Sequence, residues 1–302
     1  MTCSNDPGGH FSAPWTVPGG SLQDEIALTK SDCQVIFDIY DDLAARYPDY
    51  VKKTVMGSVF SKDFPRYTFT PKGNCAPKRI AIVTSIHGYE QGSSWSAGQF
   101  FRLLCDTPDD PHLQFLRENV LFDVIPVANP WGFCQNMRCN GNGIDLNRNF
   151  EPGFIYDMDK ASKYWGGTEP CSEAETRMLM QFTQENKDAV VVLDYHNIGK
   201  GNPLFYVYSE RDVEFSKKVF TPLTGKWKAE YPQLAEETYL GRTLPNGGEG
   251  MFADYLKEEG VWVLTMETPW TMPVIGEAQY DATTIRCAVD VLANTLLELV
   301  RE

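Results

Sequence analysis

The segment Ile80–Glu90 reads IAIVTSIHGYE, and it decides the fold class. It begins with apolar and β-branched residues that show no polar alternation, which is typical of a strand buried on both faces of a parallel sheet. It ends with His87 and Glu90, and a bend at Gly88 would turn both side chains toward one point at little steric cost. Imidazole nitrogen and carboxylate oxygen are common zinc ligands, so the segment predicts part of a metal site. A single HxxE pattern also occurs by chance in surface turns, so the prediction of a metal site needs support from other segments of the chain.

Composition narrows the classes of partner. The 302 residues carry a formal net charge of −14, which argues against nucleic acid or an anionic lipid surface as partner. No stretch approaches ~18 uncharged apolar residues, so we expect no membrane span. Residues 1–20 lack the basic start and apolar centre of a signal peptide. We therefore expect a soluble chain of unknown compartment, or a secreted or cell-envelope protein whose leader was removed.

Apolar strands alternate with helical patterns along the chain. Apolar runs predict a pair of strands before the segment around Ile80 and further buried strands after it. Two capping-box patterns predict helix starts, one with Ser31 and Gln34 and the other with Ser172 and Glu175. The further predicted strands are 51–60, 65–70, 120–127, 189–194, 204–208 and 261–266, and the predicted helices are 31–47, 94–105, 112–118, 172–186, 212–230, 252–258 and 281–300. This alternation indicates an α/β layer fold. We expect one domain over residues 29–302, preceded by an irregular arm over residues 1–28.

Four side chains lie at or just past the carboxyl ends of the predicted apolar strands: His87, Glu90, His196 and Glu267. That edge is where open α/β sheets bind ligands. Two histidines and one glutamate leave a fourth zinc position for water, which is the catalytic pattern, and Glu267 could take a proton from that water. The alternative for Glu267 is a structural ion pair with a lysine or arginine. His10 and His112 are interpreted as solvated loop residues.

The loop from Trp131 to Phe150 carries Arg138, Asn147 and Arg148. A guanidinium presents a fixed fork that matches a carboxylate, and an adjacent amide adds a donor. A separate arginine can polarise a carbonyl and stabilise the oxyanion that develops. The alternative is that these arginines pair with some of the 41 acidic residues on the protein surface.

These motifs together resemble the zinc carboxypeptidases of the carboxypeptidase A/B type. The resemblance extends over residues 31–300 and rests on HGYE at 87–90, NPWG at 129–132, Arg138, DLNRNF at 145–150, YHN at 195–197 and TME at 265–267. It implies a single domain with a mixed, mainly eight-stranded twisted sheet flanked by helices. It implies one Zn²⁺ held by His87, Glu90 and His196, with Glu267 as general base. It implies Arg138 as carbonyl polariser and Asn147 with Arg148 as the clamp on a substrate carboxylate.

The function expected from the resemblance is hydrolysis of the C-terminal peptide bond of a peptide with a free carboxylate. Tyr89 stands where digestive members carry arginine, and no residue is assigned to their mobile tyrosine, for which Asn246 and Tyr239 are candidates. The pocket floor is expected around Gly250–Asp254. Ala253 there would favour an apolar side chain, whereas Glu249 or Asp254 would favour a basic one.

Three alternative functions remain open from the sequence. One is an N-acyl amino acid deacylase of the aspartoacylase or succinylglutamate desuccinylase kind, and another is a cell-wall γ-D-glutamyl peptidase. The third is a zinc- or peptide-binding module without activity, against which Glu267 argues because binding alone needs no base. A disulfide bridge among Cys134, Cys139 and Cys171 would require an oxidising compartment.

Overall fold

The computed structural model of the chain describes residues 4–13, 32–72, 76–198, 203–230, 242–243, 249–269 and 282–302. Its strands are β1 (Val51–Val59), β2 (Lys62–Phe69), β3 (Lys78–Thr84), β4 (Val120–Ile125), β5 (Val191–Ile198), β6 (Leu204–Val207), β7 (Arg242–Thr243) and β8 (Val263–Pro269). Its helices are α1 (Cys33–Arg46), α2 (Gln91–Asp106), α3 (Pro111–Asn119), α4 (Pro130–Gln135), α5 (Ala174–Glu185), α6 (Glu210–Glu230), α7 (Phe252–Glu258) and α8 (Ala282–Arg301).

The strands form one eight-stranded sheet in the order β1-β2-β4-β3-β5-β8-β6-β7. The central strands β4, β3, β5 and β8 are mutually parallel. Antiparallel pairs join β1 to β2, β2 to β4 and β6 to β8, and β7 is parallel to β6. The prediction of a mixed, mainly eight-stranded α/β sheet is therefore confirmed. The parallel strands all end at one edge, and that geometry positions the site described below.

The central strand β3 contributes to two apolar cores, one on each face of the sheet. Ile80 and Ile82 belong to the core that also contains side chains of α1, α2 and α8, whereas Ala81 and Val83 belong to the core beneath α5 and α7. Each large aliphatic side chain buried in this way contributes roughly 1.5–3 kcal/mol. The absence of polar alternation in the sequence thus correctly predicted a strand covered on both faces.

Both predicted capping boxes were wrong in detail. Helix α1 is capped by Asp32, whose side chain accepts from the backbone nitrogen of Gln34, and Ser31 lies outside the described residues. Helix α5 begins after Glu173 without a side-chain cap. The hydroxyl of Ser172 is instead engaged with Asn149 and Glu173, because it lies beside the arginine-bearing loop.

The stretch predicted to be loop after β4 contains the short helix α4. Asn129 caps it by accepting from the backbone nitrogen of Gly132, and Pro130 occupies its first position. These are favourable start signals, but only six residues follow before Asn136 takes up a left-handed conformation. The helix is too short to show a recurring apolar stripe, so its sequence reads as a loop.

The described part of the amino-terminal arm, residues 4–13, has no regular structure but is not free in solution. Phe11 is 2% exposed, and its backbone nitrogen donates to Asn294 Oδ1 on α8 at 2.9 Å. The next contact is from the Ala13 nitrogen to Asp290 Oδ1. Among the described helices, none combines the length and apolar character that crossing a membrane requires.

The sequence left open whether two of Cys134, Cys139 and Cys171 are bridged, and all three are free thiols in the structure. Cys134 on α4 lies instead beside Cys33 at the start of α1, with 3.2 Å between the two sulfur atoms. Cys139 Sγ lies 3.6 Å from the carbonyl oxygen of Lys163.

Candidate metal centre and active site

The carboxyl ends of β3, β5 and β8 meet at one edge of the sheet, and all seven predicted site residues line a single cavity there. Strands β3, β5 and β8 are neighbours and parallel, and the register places His196 directly beside Glu267. The cavity opens to solvent, and its volume including that open part is about 550 Å³. The predicted residues that line it are His87, Glu90, Arg138, Asn147, Arg148, His196 and Glu267.

The three predicted metal ligands converge on one point. Glu90 bridges the two histidines: its Oε1 lies 2.8 Å from His87 Nδ1, and its Oε2 lies 2.9 Å from His196 Nδ1. Candidate donor atoms of the three side chains all lie within 4.8 Å of one another, and all three residues are buried. Burial favours the neutral form of Glu90, but the positive charges of His87 and His196 outweigh it and hold its pKa below the ordinary range. Two imidazoles and one carboxylate fit a zinc ion.

The turn between His87 and Glu90 requires glycine for space. Gly88 does not take up a positive φ, contrary to the conformational role expected from the sequence. A Cβ built on it would lie 2.1 Å from the backbone carbon of Gly132 on α4, a distance that no packed atom tolerates. The turn from His87 to Glu90 and the NPWG helix are therefore in direct backbone contact.

Each histidine also faces a second carboxylate on its far side. His196 Nε2 lies 2.9 Å from Asp194 Oδ1, and His87 Nε2 lies 3.3 Å from Asp145 Oδ1, without hydrogen-bond alignment in the second case. Such outer carboxylates fix the ring orientation of metal-binding histidines. Sequence reasoning missed this role for both aspartates. The available signal was Asp194 two residues before His196, because residues two apart in a strand share a face.

Glu267 is buried at the edge of the cavity and its carboxylate has an unsatisfied oxygen. Its Oε2 atom has no hydrogen-bond partner, and within the described part of the chain it forms no ion pair with a lysine or arginine. The structural alternative suggested by the sequence therefore finds no support. Burial, followed by the negative charge of Glu90, raises the pKa of Glu267 to about 8. A carboxyl group tuned in this way suits proton transfer.

The two arginines of the cavity have different counter-ions. Arg138 binds Asp145 through Nε and Nη2, each at 2.8 Å, and its Nη1 approaches the Tyr89 hydroxyl at 3.4 Å. Arg148 pairs with Glu249 at 3.1 Å, and the Glu249 side chain is 49% exposed. Asp145 and Glu249 are both acidic residues near this loop, and the structure pairs Arg148 with Glu249.

A backbone contact fixes the side chain of Asn147, and an aromatic ring lies beside both arginines. Asn147 lies in a 3-10 turn, Leu146–Arg148, and its Oδ1 accepts from the backbone nitrogen of Phe252 at 2.8 Å. The ring of Tyr164 covers both guanidinium groups, with its centroid 5.1 Å from Arg138 Cζ and 5.4 Å from Arg148 Cζ. Tyr239 and Asn246, the candidates for the mobile tyrosine, lie outside the described residues.

This combination of a mixed eight-stranded α/β sheet and a His-Glu-His cluster at its parallel edge is that of a zinc-dependent peptidase. A family model described as zinc carboxypeptidase matches residues 36–271, and the chain belongs to this family.

Relatives and solved structures agree with that assignment. The chain is 34% identical over 137 residues to cytosolic carboxypeptidase 2 of Danio rerio, covering 44% of this chain and 17% of the relative. It is 28% identical over 287 residues to carboxypeptidase A1 of Sus scrofa, covering 83% and 68%. The crystal structure of thrombin activatable fibrinolysis inhibitor has the same fold, with a TM-score of 0.74, 18% identity, and coverage of 92% of this chain and 77% of that one. The chain thus spans less than a fifth of the length of the zebrafish relative.

Proposed function

We propose that this chain is a zinc metallocarboxypeptidase that hydrolyses the C-terminal peptide bond of peptides with a free carboxylate. The observation that supports it most strongly is the single cavity in which a His-Glu-His cluster, an unpaired carboxylate oxygen of Glu267 and two arginines lie together. The family assignment supports the peptidase class.

His87, Glu90 and His196 would hold the metal, since their donor atoms converge and their chemistry matches zinc. When bound, zinc supplies a Lewis acid that polarises a carbonyl and makes water more acidic. Glu267 then accepts the proton of the attacking water and delivers it to the leaving amine, because its Oε2 is free inside the cavity. Its raised pKa in the structure reflects burial and the charge of Glu90, and both act in favour of holding that proton.

Arg138 would stabilise the oxyanion that develops on the scissile carbonyl. Its bond to Asp145 fixes the guanidinium, while Nη1 lies 3.4 Å from the hydroxyl of Tyr89. Arg148 and Asn147 would bind the terminal carboxylate of the substrate. The exposed Glu249 is a counter-ion that a substrate carboxylate can displace, since a half-exposed ion pair is weak.

The experiment that tests the proposal is turnover of a peptide acid by zinc-loaded protein with Glu267→Gln. Because glutamine keeps the shape of the side chain, zinc content and fold should be retained, whereas turnover should fall about a hundredfold or more. Near-normal hydrolysis by the variant would refute the role of Glu267. Activity restricted to small N-acyl amino acids would favour the deacylase, and activity restricted to γ-D-glutamyl peptides would favour the cell-wall peptidase.

A further inference from the structure

We propose that Cys33 and Cys134 form a reversible disulfide bridge by exchange with a small-molecule disulfide such as oxidised glutathione, and that this bridge fastens α1 to α4. Neither cysteine lines the cavity described above. The inference therefore concerns a second site in the molecule and does not depend on the proposed function.

The tertiary structure brings the two sulfur atoms into contact. Cys33 is the first residue of α1 and Cys134 lies in α4, 101 positions further along the chain. Their sulfur atoms are 3.2 Å apart. Because a disulfide bond is ~2.05 Å long, the two atoms need to approach by roughly 1.2 Å to form it. The pair is thus close to bridging geometry while both thiols are free.

The two thiols differ in exposure, and this difference assigns their roles. Cys33 is 0% exposed, whereas Cys134 is partly exposed. In thiol–disulfide exchange the attacking sulfur has to reach the small molecule, while the second sulfur has to reach only the first. Cys134 is therefore the attacking thiol, and Cys33 is the thiol that resolves the mixed disulfide.

The surroundings of Cys134 stabilise its thiolate, which is the reactive form of a cysteine. The backbone nitrogen of Cys33 lies 3.4 Å from Cys134 Sγ, and N–H groups at a helix start favour negative charge. The hydrogen bond from the Cys33 thiol lowers the pKa of Cys134 to about 6, and this backbone contact and Lys62 act in the same direction, against burial and Asp32. The same thiol contact, followed by burial, raises the pKa of Cys33.

Three other described cysteines have the opposite tendency. Burial raises the pKa of Cys105 to about 12 and that of Cys139 to about 11, and it also raises the pKa of Cys171. Near neutral pH these three are thiols, whereas Cys134 is largely a thiolate. A small-molecule disulfide should therefore react with Cys134 before it reacts with these three.

The exchange takes place in two steps. The Cys134 thiolate attacks one sulfur of oxidised glutathione, the glutathione disulfide bond breaks, and one glutathione thiolate leaves. Cys33 then gives up its proton to solvent, and its sulfur attacks Cys134 Sγ, so that the second glutathione thiolate leaves. The two leaving thiolates take up two protons. In total, the protein loses two electrons and two protons, and these reduce one glutathione disulfide to two thiols.

The bridge would act on the helix that supports the turn from His87 to Glu90. Helix α4 touches this turn where Gly132 meets Gly88, and the Phe133 carbonyl oxygen accepts from Gln91 Nε2 at 2.8 Å. A covalent link between α1 and α4 closes a long loop and so restricts the unfolded chain. The oxidised protein should therefore resist unfolding more than the reduced protein.

The test incubates zinc-loaded full-length protein with oxidised glutathione and maps its peptides by mass spectrometry without reduction. We expect a peptide pair linked through Cys33 and Cys134, with no glutathione retained on either, and dithiothreitol should reverse the link. At pH 7, Cys134 should react about tenfold or more faster than Cys139.

Three variants separate the roles of the two thiols. Cys33→Ser should stop at the mixed disulfide, with glutathione retained on Cys134. Cys134→Ser should leave Cys33 unmodified, since Cys33 is buried. Cys139→Ser is the matched control, because Cys139 is also partly exposed, and it should form the bridge at the wild-type rate.

Urea unfolding tests the link between the two helices. The midpoint of the oxidised wild type should lie at a higher urea concentration than that of the reduced wild type, and the difference should disappear in Cys33→Ser. Equal midpoints for the two wild-type forms would show that the bridge does not fasten α1 to α4.

Two further results would overturn the inference. One is an unmodified Cys134, or a wild type that retains glutathione on Cys134 without forming the bridge. The other is a second zinc ion per chain that is lost in Cys33→Ser, because the pair would then be a metal site. None of these measurements uses peptide hydrolysis, so each outcome is independent of the outcome of the Glu267→Gln experiment.

Discussion

The cavity has a side that we propose binds the metal, called the metal side, and a side that we propose binds the substrate, called the substrate side, and they are built from different parts of the chain. The metal side consists of His87, Glu90 and His196, which follow or end buried strands and are each no more than 5% exposed. The substrate side consists of Arg138, Asn147 and Arg148, which lie on a loop. The metal side is locked by mutual contacts of 2.8 and 2.9 Å, whereas Arg148 is held by the half-exposed Glu249. One side is preorganised, and the other has a counter-ion that a substrate can replace.

The largest effect is expected from breaking the metal side. His196→Ala should reduce bound zinc from about one per chain to a small fraction, because even loss of an outer partner costs 10–100-fold in metal affinity. Elemental analysis after reconstitution measures this. His112→Ala is the matched control, since His112 does not line the cavity and its Nε2 lies 2.9 Å from the carbonyl oxygen of Gly8. Full zinc binding by His196→Ala would contradict the ligand assignment.

An effect of intermediate size is expected on the pH dependence of stability, and it arises from Glu267. This residue lies beside His196, but its Oε2 has no hydrogen-bond partner. In the zinc-free protein, the folded state keeps a proton on Glu267 up to a pKa of about 8, whereas the ordinary value is 4.5. The folded state binds more protons in this window, so the free energy of unfolding should fall as the pH rises from about 4.5 to 8. The slope from this group is at most ~1.4 kcal/mol per pH unit.

Urea unfolding of zinc-free wild type and Glu267→Gln at several pH values isolates that contribution. The wild type should lose more stability than the variant between pH 5 and pH 8. Parallel pH profiles for the two proteins would show that Glu267 does not hold the proton in the folded state.

The smallest effect is expected on the substrate side. Glu249→Gln removes the counter-ion of Arg148 and should lower KM for a peptide acid by a few-fold, since an exposed pair is worth up to about 1 kcal/mol. Steady-state kinetics measures it, with Glu259→Gln as control because Glu259 pairs with Lys187. A rise in KM in Glu249→Gln would mean that Glu249 helps to bind the substrate.

The same contrast explains what could be predicted from the sequence. His196 and Glu267 were placed correctly at one edge because apolar runs mark buried strands and parallel strands end together. The counter-ion Glu249 could not be assigned, because it depends on how one loop folds over another. Likewise, the need for Gly88 arises from contact with Gly132, 44 positions away in the chain, and no local pattern reports it.

The contact between Cys33 and Cys134 was missed for the same reason. The two cysteines lie on α1 and α4, which are far apart in sequence, and the sequence offered only the nearer loop cysteines as candidates. Sequence periodicity therefore predicted the strands and the sheet edge at which His196 and Glu267 lie, while the charge pairing of Arg138 and Arg148 required the tertiary structure.

The central claim is that Arg148 binds a free C-terminal carboxylate at the zinc site, and the most direct measurement compares a peptide acid with its C-terminal amide. Amidation would replace the charged carboxylate with a neutral amide that keeps one oxygen and cannot replace Glu249 as the counter-ion of Arg148, at a cost on the order of 2–5 kcal/mol. Zinc-loaded wild type should therefore cleave the acid at least ~30-fold faster than the amide. Arg148→Ala should lose most of this discrimination by slowing cleavage of the acid, with little change for the amide. Equal cleavage of acid and amide by the wild type would contradict the account.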